Sequence, residues 1–139
     1  MVTISDLKIG TVIDIRDPYS YDDKHKYSII VGISEDEFTI ATVFINSEIN
    51  PTAINSPGLV ALQYGIKQTD YNFLKRDSFV DCSKITDRIQ LTFLNEINNS
   101  GRLLGNIRIT DLRNIVNLVT GAESISPYYI KLCNIKPIL

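Results

Sequence analysis

The sequence predicts one small β-rich domain of barrel type, with two helices toward its C-terminal end. Short runs of β-branched and aromatic residues recur along the chain, and polar segments separate them. Two later stretches repeat apolar residues about every four positions, a period typical of amphipathic helices. At 139 residues the chain is long enough for one hydrophobic core and short for two domains of ordinary size. We therefore expect residues 1–139 to form a single domain.

Composition and charge narrow the class of protein. Hydrophobic residues make up 44% and charged residues 22%, which is typical of a globular protein in water rather than of a disordered chain or a membrane protein. No stretch approaches the roughly 18 consecutive apolar residues of a spanning helix, and the first residues lack the pattern of a secretory signal. We expect a cytoplasmic protein without membrane contact. The net charge of −2 argues against nucleic-acid binding through overall charge, although a local basic patch remains open.

The cysteines and the histidine do not form a metal-binding pattern. Cys82 and Cys133 lie far apart in the sequence, and His25 is the only histidine. We therefore expect no metal site and no cofactor. Two buried free thiols are the expected state in a reducing compartment, although the sequence leaves a disulfide between them open.

The segment 24–47 is the element around which the rest of the chain is arranged. Its two apolar runs, 27–33 and 38–45, are separated by a short acidic turn, which predicts a β-hairpin. Both runs are almost continuously apolar, so we expect the hairpin in the centre of a closed or well-covered sheet. Antiparallel pairing would bring the basic residues 24–26 and the polar residues 46–47 to the same end of the sheet.

The remaining elements are predicted from shorter patterns. Further strands are expected at 11–16, 59–64, 78–84 and 102–104. The polar segment 17–23 is predicted to be a loop that could lie over the open end of the hairpin. Residues 128–134 predict a last strand or an extended arm, so that 122–139 would pack on the barrel as an addition.

Two helices are predicted from apolar periodicity. The first carries an apolar residue at every fourth position, at Ile85, Ile89, Phe93 and Ile97. Its expected N-cap is Thr86 or Asp87. The second helix is expected to be capped by Thr110 and to end at Gly121. Its predicted apolar stripe consists of Leu112, Ile115, Val116 and Val119.

Three segments carry a recognisable pattern. A glycine-led strand and then a basic segment running into an apolar strand are found at Gly10-Thr11-Val12-Ile13-Asp14-Ile15 and Lys24-His25-Lys26-Tyr27-Ser28-Ile29-Ile30-Val31. The most specific segment is Phe73-Leu74-Lys75-Arg76-Asp77-Ser78-Phe79-Val80-Asp81-Cys82-Ser83-Lys84-Ile85. The third is Leu104-Gly105-Asn106-Ile107, followed by Asp111-Leu112. Together these segments resemble the PemK/MazF-like toxins, which have a leucine-lysine-X-aspartate-serine-tyrosine-valine-aspartate-cysteine-serine segment and an Ile-Gly-Arg-Leu-Ser-x-x-Asp-Leu start to their C-terminal helix.

The resemblance implies both a fold and an activity. The fold would be an SH3-like β-barrel of the CcdB/MazF type, with a C-terminal amphipathic helix and one further short helix, usually assembled as a homodimer. The activity would be that of a type II toxin that cuts single-stranded RNA without a metal. An antitoxin, whose disordered tail lies in the substrate groove, would neutralise it.

The resemblance also places the expected catalytic residues at the open end of the hairpin. The family's arginine falls on Lys26, and its threonine or serine falls on Asn46, with Ser47 next to it. Lysine keeps the charge of arginine but not its two-pronged guanidinium, and asparagine donates a hydrogen bond but does not readily transfer a proton. His25 is a candidate acid or base, because imidazole is the side chain suited to proton transfer near neutral pH; the alternative is a solvated loop residue.

Residues other than these catalytic candidates are candidates for RNA contact. Lys24 is a candidate for binding phosphate, and Lys75 and Arg76 are candidates for an RNA-binding rim; a solvated charged surface is the alternative for all three. Asp81 and Ser83 share a predicted strand face and would form a structural network or contact substrate. Aromatic side chains in predicted loops would stack on unpaired bases or pack back onto the barrel; these are Tyr19, Tyr21 and Tyr71.

The sequence leaves three functions open. The first is an endoribonuclease toxin acting at the hairpin end. The second, favoured by the replacements at Lys26 and Asn46, is an inactive toxin-fold module that binds protein or nucleic acid, or a CcdB-like inhibitor of another enzyme. The third is a structural protein that reuses a small barrel.

Overall fold

The computed structural model describes residues 1–17 and 24–138 and shows a mixed α+β fold built on a seven-stranded antiparallel sheet. The strands are β1 Thr11–Arg16, β2 His25–Ile33, β3 Thr39–Asn46, β4 Gln63–Ile66, β5 Ser78–Asp81, β6 Thr86–Ile89 and β7 Arg102–Asn106. Their order across the sheet is β4-β5-β3-β2-β1-β7, and β6 also pairs with β3. The predicted β-rich α+β class is confirmed.

Helices cover the two faces of the sheet. They are α1 Pro57–Val60, α2 Gln90–Ser100, α3 Ile109–Gly121 and α4 Pro127–Leu132, with two short 3-10 turns at Ile4–Asp6 and Gln68–Asp70. The predicted stripe of α3 is buried in the larger core, while Phe93 and Ile97 of α2 are buried in a second core. The described helices include none that is both long and apolar enough to cross a membrane.

The hairpin of β2 and β3 occupies the centre of the sheet, as the apolar runs predicted. Ile29 and Val43 belong to the larger core, whereas Ile30 and Ile40 face the second core. The two strands pair antiparallel, with Tyr27 opposite Ile45. This register confirms that the start of β2 and the end of β3 lie at the same end of the sheet.

The strand β3 changes neighbours along its length. Its N-terminal half, Thr39 to Thr42, pairs with β6, while Ile45 and Asn46 at its C-terminal end pair with β5. The start of β2, the end of β3 and the strand β5 therefore come together around one corner of the sheet.

The prediction of a strand at 59–64 was wrong in position. Ser56 accepts a hydrogen bond from the Leu59 N–H, and Pro57 occupies the first turn, so this segment begins as the short helix α1. The strand follows at β4, where Gly65 lies opposite Phe79 of β5. Local capping therefore overrides the apolar run.

The prediction of a helix from Ile85 was wrong at its start. Residues Thr86 to Ile89 form β6 instead and pair with β3, so neither Thr86 nor Asp87 caps a helix. The helix α2 begins only at Gln90, whose N–H donates to the carbonyl oxygen of Phe38. Apolar residues continue at every fourth position from β6 into α2, so this spacing does not show where the strand ends and the helix begins.

The C-terminal segment also differs from its prediction. The expected strand or arm at 128–134 is the helix α4, because Ser126 caps it and Pro127 begins it. Beyond it, Cys133 and Ile135 are buried in the larger core. Thus α3 is not the last helix of the chain.

Several smaller boundaries shift by one to three residues. The strand predicted at 78–84 ends at Asp81, and the strand predicted at 102–104 extends to Asn106. The second amphipathic helix begins at Ile109 with Arg108 at the N-cap position in place of Thr110, and its C-cap is Ala122 rather than Gly121. Both cysteines are free and buried, as expected for structural thiols.

Candidate functional site

A cavity of about 750 Å³ opens at the corner where β2, β3 and β5 meet. We call it the corner cleft. Six of the seven residues predicted for the site line it, namely His25, Lys26, Asn46, Ser47, Lys75 and Arg76. The seventh, Lys24, is exposed one residue before β2 and does not line the cleft. The register of the hairpin and the pairing of β3 with β5 thus bring together residues that the sequence separates by about fifty positions.

The corner cleft is locally basic. Its walls carry four basic side chains, Lys26, Lys75, Arg76 and Lys84, against two acidic ones, Glu48 and Asp81. With His25 neutral this is a net charge of +2, in a chain whose overall charge is −2. The fold therefore concentrates positive charge at this corner, and such a cavity attracts anions.

Lys26 and Asn46 form a cross-strand pair in the cleft. The Lys26 ammonium donates a hydrogen bond of 3.0 Å to the Asn46 Oδ1 and lies 5.0 Å from the centre of the Phe44 ring. Both polar residues are partly buried. An ammonium has three N–H donors, and only one is used by Asn46, so two remain for a ligand. The amide N–H₂ of Asn46 adds further donors at the same place.

His25 and Asp14 form a second pair. The sequence left a solvated loop as one possibility for His25, but it is the first residue of β2, and its Nδ1 lies 3.0 Å from the Asp14 Oδ1. An ionised carboxylate only accepts hydrogen bonds, so Nδ1 carries a proton, and in the neutral form of the ring the lone pair is then on Nε2. The mostly exposed Arg102 side chain donates to the other Asp14 oxygen at 3.4 Å, a long contact that holds the carboxylate only weakly. The sequence analysis did not identify Asp14 as a site residue.

His25 and Lys26 reach the cleft from opposite faces of β2. Successive side chains of a strand alternate between faces, and the two residues accordingly have separate partners, Asp14 on β1 and Asn46 on β3. The cleft lies at the end of the strands, where side chains from both faces meet. A bound chain could therefore contact both pairs at once.

The rim of the cleft is formed by the segment before β5. Lys75 and Arg76 are both exposed, and Arg76 lies 4.0 Å from Glu48 in an ion pair with both side chains mostly in solvent. An exposed pair of this kind contributes little to stability. The two cations are therefore free to rearrange around a ligand.

Asp81 and Ser83 form a buried network, as the structural interpretation of the sequence predicted. The Asp81 Oδ1 accepts hydrogen bonds from the Ser83 N–H at 3.0 Å, from the Ser83 hydroxyl at 2.5 Å and from the Gln63 side-chain amide at 2.9 Å. Gln63 lies directly opposite Asp81 in the pairing of β4 with β5. The sequence analysis did not identify Gln63, because its register could not be read from the short run at 59–64.

Of the three tyrosines predicted to lie in loops, the described residues include one. Tyr71 is buried, donates to a carboxylate oxygen of Asp111 and accepts from the Arg108 N–H at 3.1 Å, so its ring packs back onto the protein. Burial is the largest cause that raises the pKa of Tyr71, and the hydrogen bond to Asp111 adds to it. Tyr19 and Tyr21, with residues 18–23 of the predicted loop, lie outside the described residues.

The described residues include no group of three or more His, Cys, Asp or Glu side chains placed to hold a metal ion. A scan against protein-family models gives no match for this chain, and a search of curated proteins gives none either. The function of this chain is therefore inferred from the residues of the corner cleft.

Proposed function

We propose that this chain is the toxin of a type II toxin–antitoxin pair, a PemK/MazF-like endoribonuclease that cuts single-stranded RNA without a metal. One observation carries the proposal: the fold gathers six of the seven predicted residues into one basic cleft of an acidic chain. The fold assignment that goes with it is an SH3-like barrel of the CcdB/MazF type. The way β3 pairs with β2 on one side and with both β5 and β6 on the other supports a strongly curved sheet. A homodimer, a cytoplasmic location and neutralisation by an antitoxin belong to the same proposal.

In this proposal RNA binds with one phosphate against the Lys26–Asn46 pair. The free N–H groups of the Lys26 ammonium and the Asn46 amide donate to the non-bridging phosphate oxygens. Lys75 and Arg76 on the rim contact neighbouring phosphates, because such contacts position a nucleic acid without reading its sequence. Lys24, outside the cleft, extends the basic surface toward the next phosphate.

His25 supplies the base that metal-free cleavage requires. Its Nε2 takes the proton from a ribose 2′-hydroxyl, and the 2′-oxygen attacks the adjacent phosphorus. The bond from phosphorus to the 5′-oxygen breaks, and the Ser47 hydroxyl donates a hydrogen bond to that leaving oxygen, which takes its proton from water. The products are a 2′,3′-cyclic phosphate and a 5′-hydroxyl end. Asp14 acts through His25 by holding its protonated Nδ1.

A second candidate function follows from the Lys26–Asn46 hydrogen bond. The Lys26 ammonium and the Asn46 amide are hydrogen-bonded to each other, and an asparagine side chain does not transfer a proton readily. A toxin-fold module that binds RNA or protein in the corner cleft without cutting would use the same residues. A CcdB-like inhibitor of another enzyme is the version of this candidate that binds protein.

The test is cleavage of a long single-stranded RNA in excess chelator. We expect the wild-type protein to cut at defined positions, and Lys26→Ala and Asn46→Ala to lower the initial rate by about a hundredfold, within the range for loss of a group that stabilises transition-state charge. Lys131→Ala and Asn117→Ala change the same residue types away from the cleft and serve as controls. Binding without cutting would select the second candidate with RNA as ligand. The absence of both binding and cutting would overturn the assignment to RNA.

A further inference from the structure

We propose that Asp81 reads an RNA base in the corner cleft: its second carboxylate oxygen accepts a hydrogen bond from the amino group of an unpaired base. The site would thereby prefer bases that carry an exocyclic amino group over bases that carry a keto oxygen at that position. This inference rests on the proposed function and names the class of base that the cleft selects.

Asp81 is buried in the wall of the corner cleft. Only 3% of the residue is exposed, yet it lines the wall of the cleft. All three hydrogen bonds that it accepts from the described residues end on Oδ1. The other oxygen, Oδ2, accepts none from that part of the chain, and it is not one of the side-chain atoms that are both fully buried and without a partner. It therefore still meets solvent, and because Asp81 lines the cleft, a donor that enters the cleft finds this acceptor available.

The orientation of this carboxylate is fixed before any ligand binds. Gln63 holds it from the neighbouring strand, and the N–H and hydroxyl of Ser83 hold it from the turn that follows β5. That turn is itself held, because the Ser124 hydroxyl donates to the Ser83 carbonyl oxygen. A rigid acceptor whose rotamer is already fixed suits discrimination between bases, since little conformational entropy is lost on binding.

The chemistry of the bases then decides what Asp81 accepts. Unpaired bases in single-stranded RNA are read through hydrogen bonds to their edges. An ionised carboxylate offers only lone pairs, which match the amino group of cytosine or adenine and oppose the keto oxygen of uracil or hypoxanthine. Lys26, Lys75 and Arg76 hold phosphates and do not distinguish these bases. Asp81 is the buried carboxylate of the lining, and we assign to it the selection of amino-bearing bases.

The experiment measures binding rather than cleavage, so that its result does not depend on catalysis. Eight-nucleotide RNAs with 2′-fluoro ribose, which lack the attacking hydroxyl, are titrated with the full chain and followed by fluorescence anisotropy. Two matched pairs of bases are compared, cytosine against uracil and adenine against hypoxanthine. Within each pair an amino group is replaced by a keto oxygen, and the neighbouring ring nitrogen gains a hydrogen. Adenine and hypoxanthine are each placed at three positions of an octauridine. We expect the amino-bearing member of at least one pair to bind about tenfold more tightly, the discrimination typical of one good base contact.

Variants locate the effect. In Asp81→Asn the three donors to Oδ1 hold the amide oxygen in that position, so the N–H₂ group takes the place of Oδ2 and faces the cleft. We expect the preference for the amino-bearing base to vanish or to reverse toward uracil. Ser83→Ala removes a donor to Oδ1 and leaves Oδ2 in place, so it should keep the preference. Thermal melting of each variant shows whether it is folded.

The outcomes distinguish a failure of the base-reading role of Asp81 from a failure of RNA binding by the chain. Equal affinity for both members of both pairs would overturn the role of Asp81 while leaving RNA binding intact, and this comparison needs no variant. A preference that survives in folded Asp81→Asn would likewise overturn it. Failure to bind any of the RNAs would overturn the proposed function and the base-reading role together.

Discussion

At the scale of single residues, the chemistry of the cleft depends on two side-chain pairs. In the proposed mechanism, His25 with Asp14 provides a base that is already oriented, and Lys26 with Asn46 provides donors for a phosphate. The residue types at the resembled positions are not those of the toxin family. In the proposed mechanism the imidazole of His25, held by Asp14, is the proton acceptor, a role that neither Lys26 nor Asn46 fills.

Substitutions in the first pair separate the base from the residue that positions it. His25→Gln removes the base, and we expect the initial rate of RNA cleavage to fall by about a hundredfold or more. Asp14→Asn leaves the imidazole in place but no longer fixes which ring nitrogen carries the proton or how the ring is oriented. We therefore expect a smaller fall in the cleavage rate, mainly in kcat with little change in KM. Arg102→Gln is the matched control, because the Arg102 side chain is mostly exposed and contacts only the far oxygen of Asp14. Full activity in His25→Gln would contradict the role of His25.

Residues at the ends of the hairpin could be predicted from the sequence as candidates for the site, and residues on other strands could not. Lys26 and Asn46 were identifiable because antiparallel pairing of two apolar runs places strand ends together. Asp14 and Gln63 were not, since their places depend on the register of β1 against β2 and of β4 against β5. A polar residue inside an otherwise apolar strand, as at Asp14, is the one signal that could have drawn attention to it.

At the scale of elements, prediction succeeded where the residue pattern and the environment agree. The continuous apolar character of β2 and β3 marks strands covered on both faces, and both faces are covered. Prediction failed at β6 and α4. In β6 the spacing of apolar residues fits a helix, but pairing with β3 satisfies the backbone groups of Thr86 to Ile89. In α4 the cap at Ser126 and the proline after it outweigh the β-branched and aromatic residues that follow.

The contact of the C-terminal segment with β2 can be tested at Gly32. A Cβ atom there would lie 2.5 Å from the Cys133 carbonyl oxygen and 2.6 Å from the Ile135 Cγ1. We expect Gly32→Ala to lower the free energy of unfolding by about 1–3 kcal/mol, as overpacking does, with the change measured by chemical denaturation. Gly65→Ala is the control, because a Cβ at Gly65 has no heavy atom within 4 Å. Equal stability of the two variants would show that the segment after α4 does not pack on β2.

At the scale of the whole molecule, the overall charge conceals the local one. Composition alone argues against nucleic-acid binding, whereas the fold gathers four cations into one cleft. This segregation depends on the meeting of β2, β3 and β5, which brings residues near 26, 46 and 76 together. No composition or local periodicity carries that information, so the basic cleft became visible only in three dimensions.

The buried thiols and tyrosines predict that the fold weakens at alkaline pH. Burial raises the pKa of Cys82 to about 12, and burial likewise raises the pKa of Cys133 and of Tyr64 and Tyr71. In the unfolded chain thiols lose their protons near pH 9 and tyrosines near pH 10. The folded state therefore holds more protons above about pH 9, and its stability falls as the pH rises.

Chemical denaturation at pH 8, 9 and 10 measures this effect. We expect the free energy of unfolding to fall with a slope approaching about 1.4 kcal/mol per pH unit from Cys82, with Cys133 adding to the fall in the same direction. Cys82→Ala should be less stable at pH 8 because of the cavity it leaves, but its slope should be flatter. A wild-type stability that stays constant from pH 8 to 10 would mean that these groups are not buried in solution.

The proposal that the corner cleft cuts RNA through the ribose 2′-hydroxyl without a metal can be tested at a single cleavage position. That position is mapped, its ribose is replaced with 2′-deoxyribose, and the reaction is repeated in excess chelator. We expect the unmodified RNA to give 2′,3′-cyclic phosphate and 5′-hydroxyl ends, and the deoxy substitution to abolish cutting at that position alone. Cutting at the deoxy position, 5′-phosphate ends, or loss of all activity in chelator would contradict the claim.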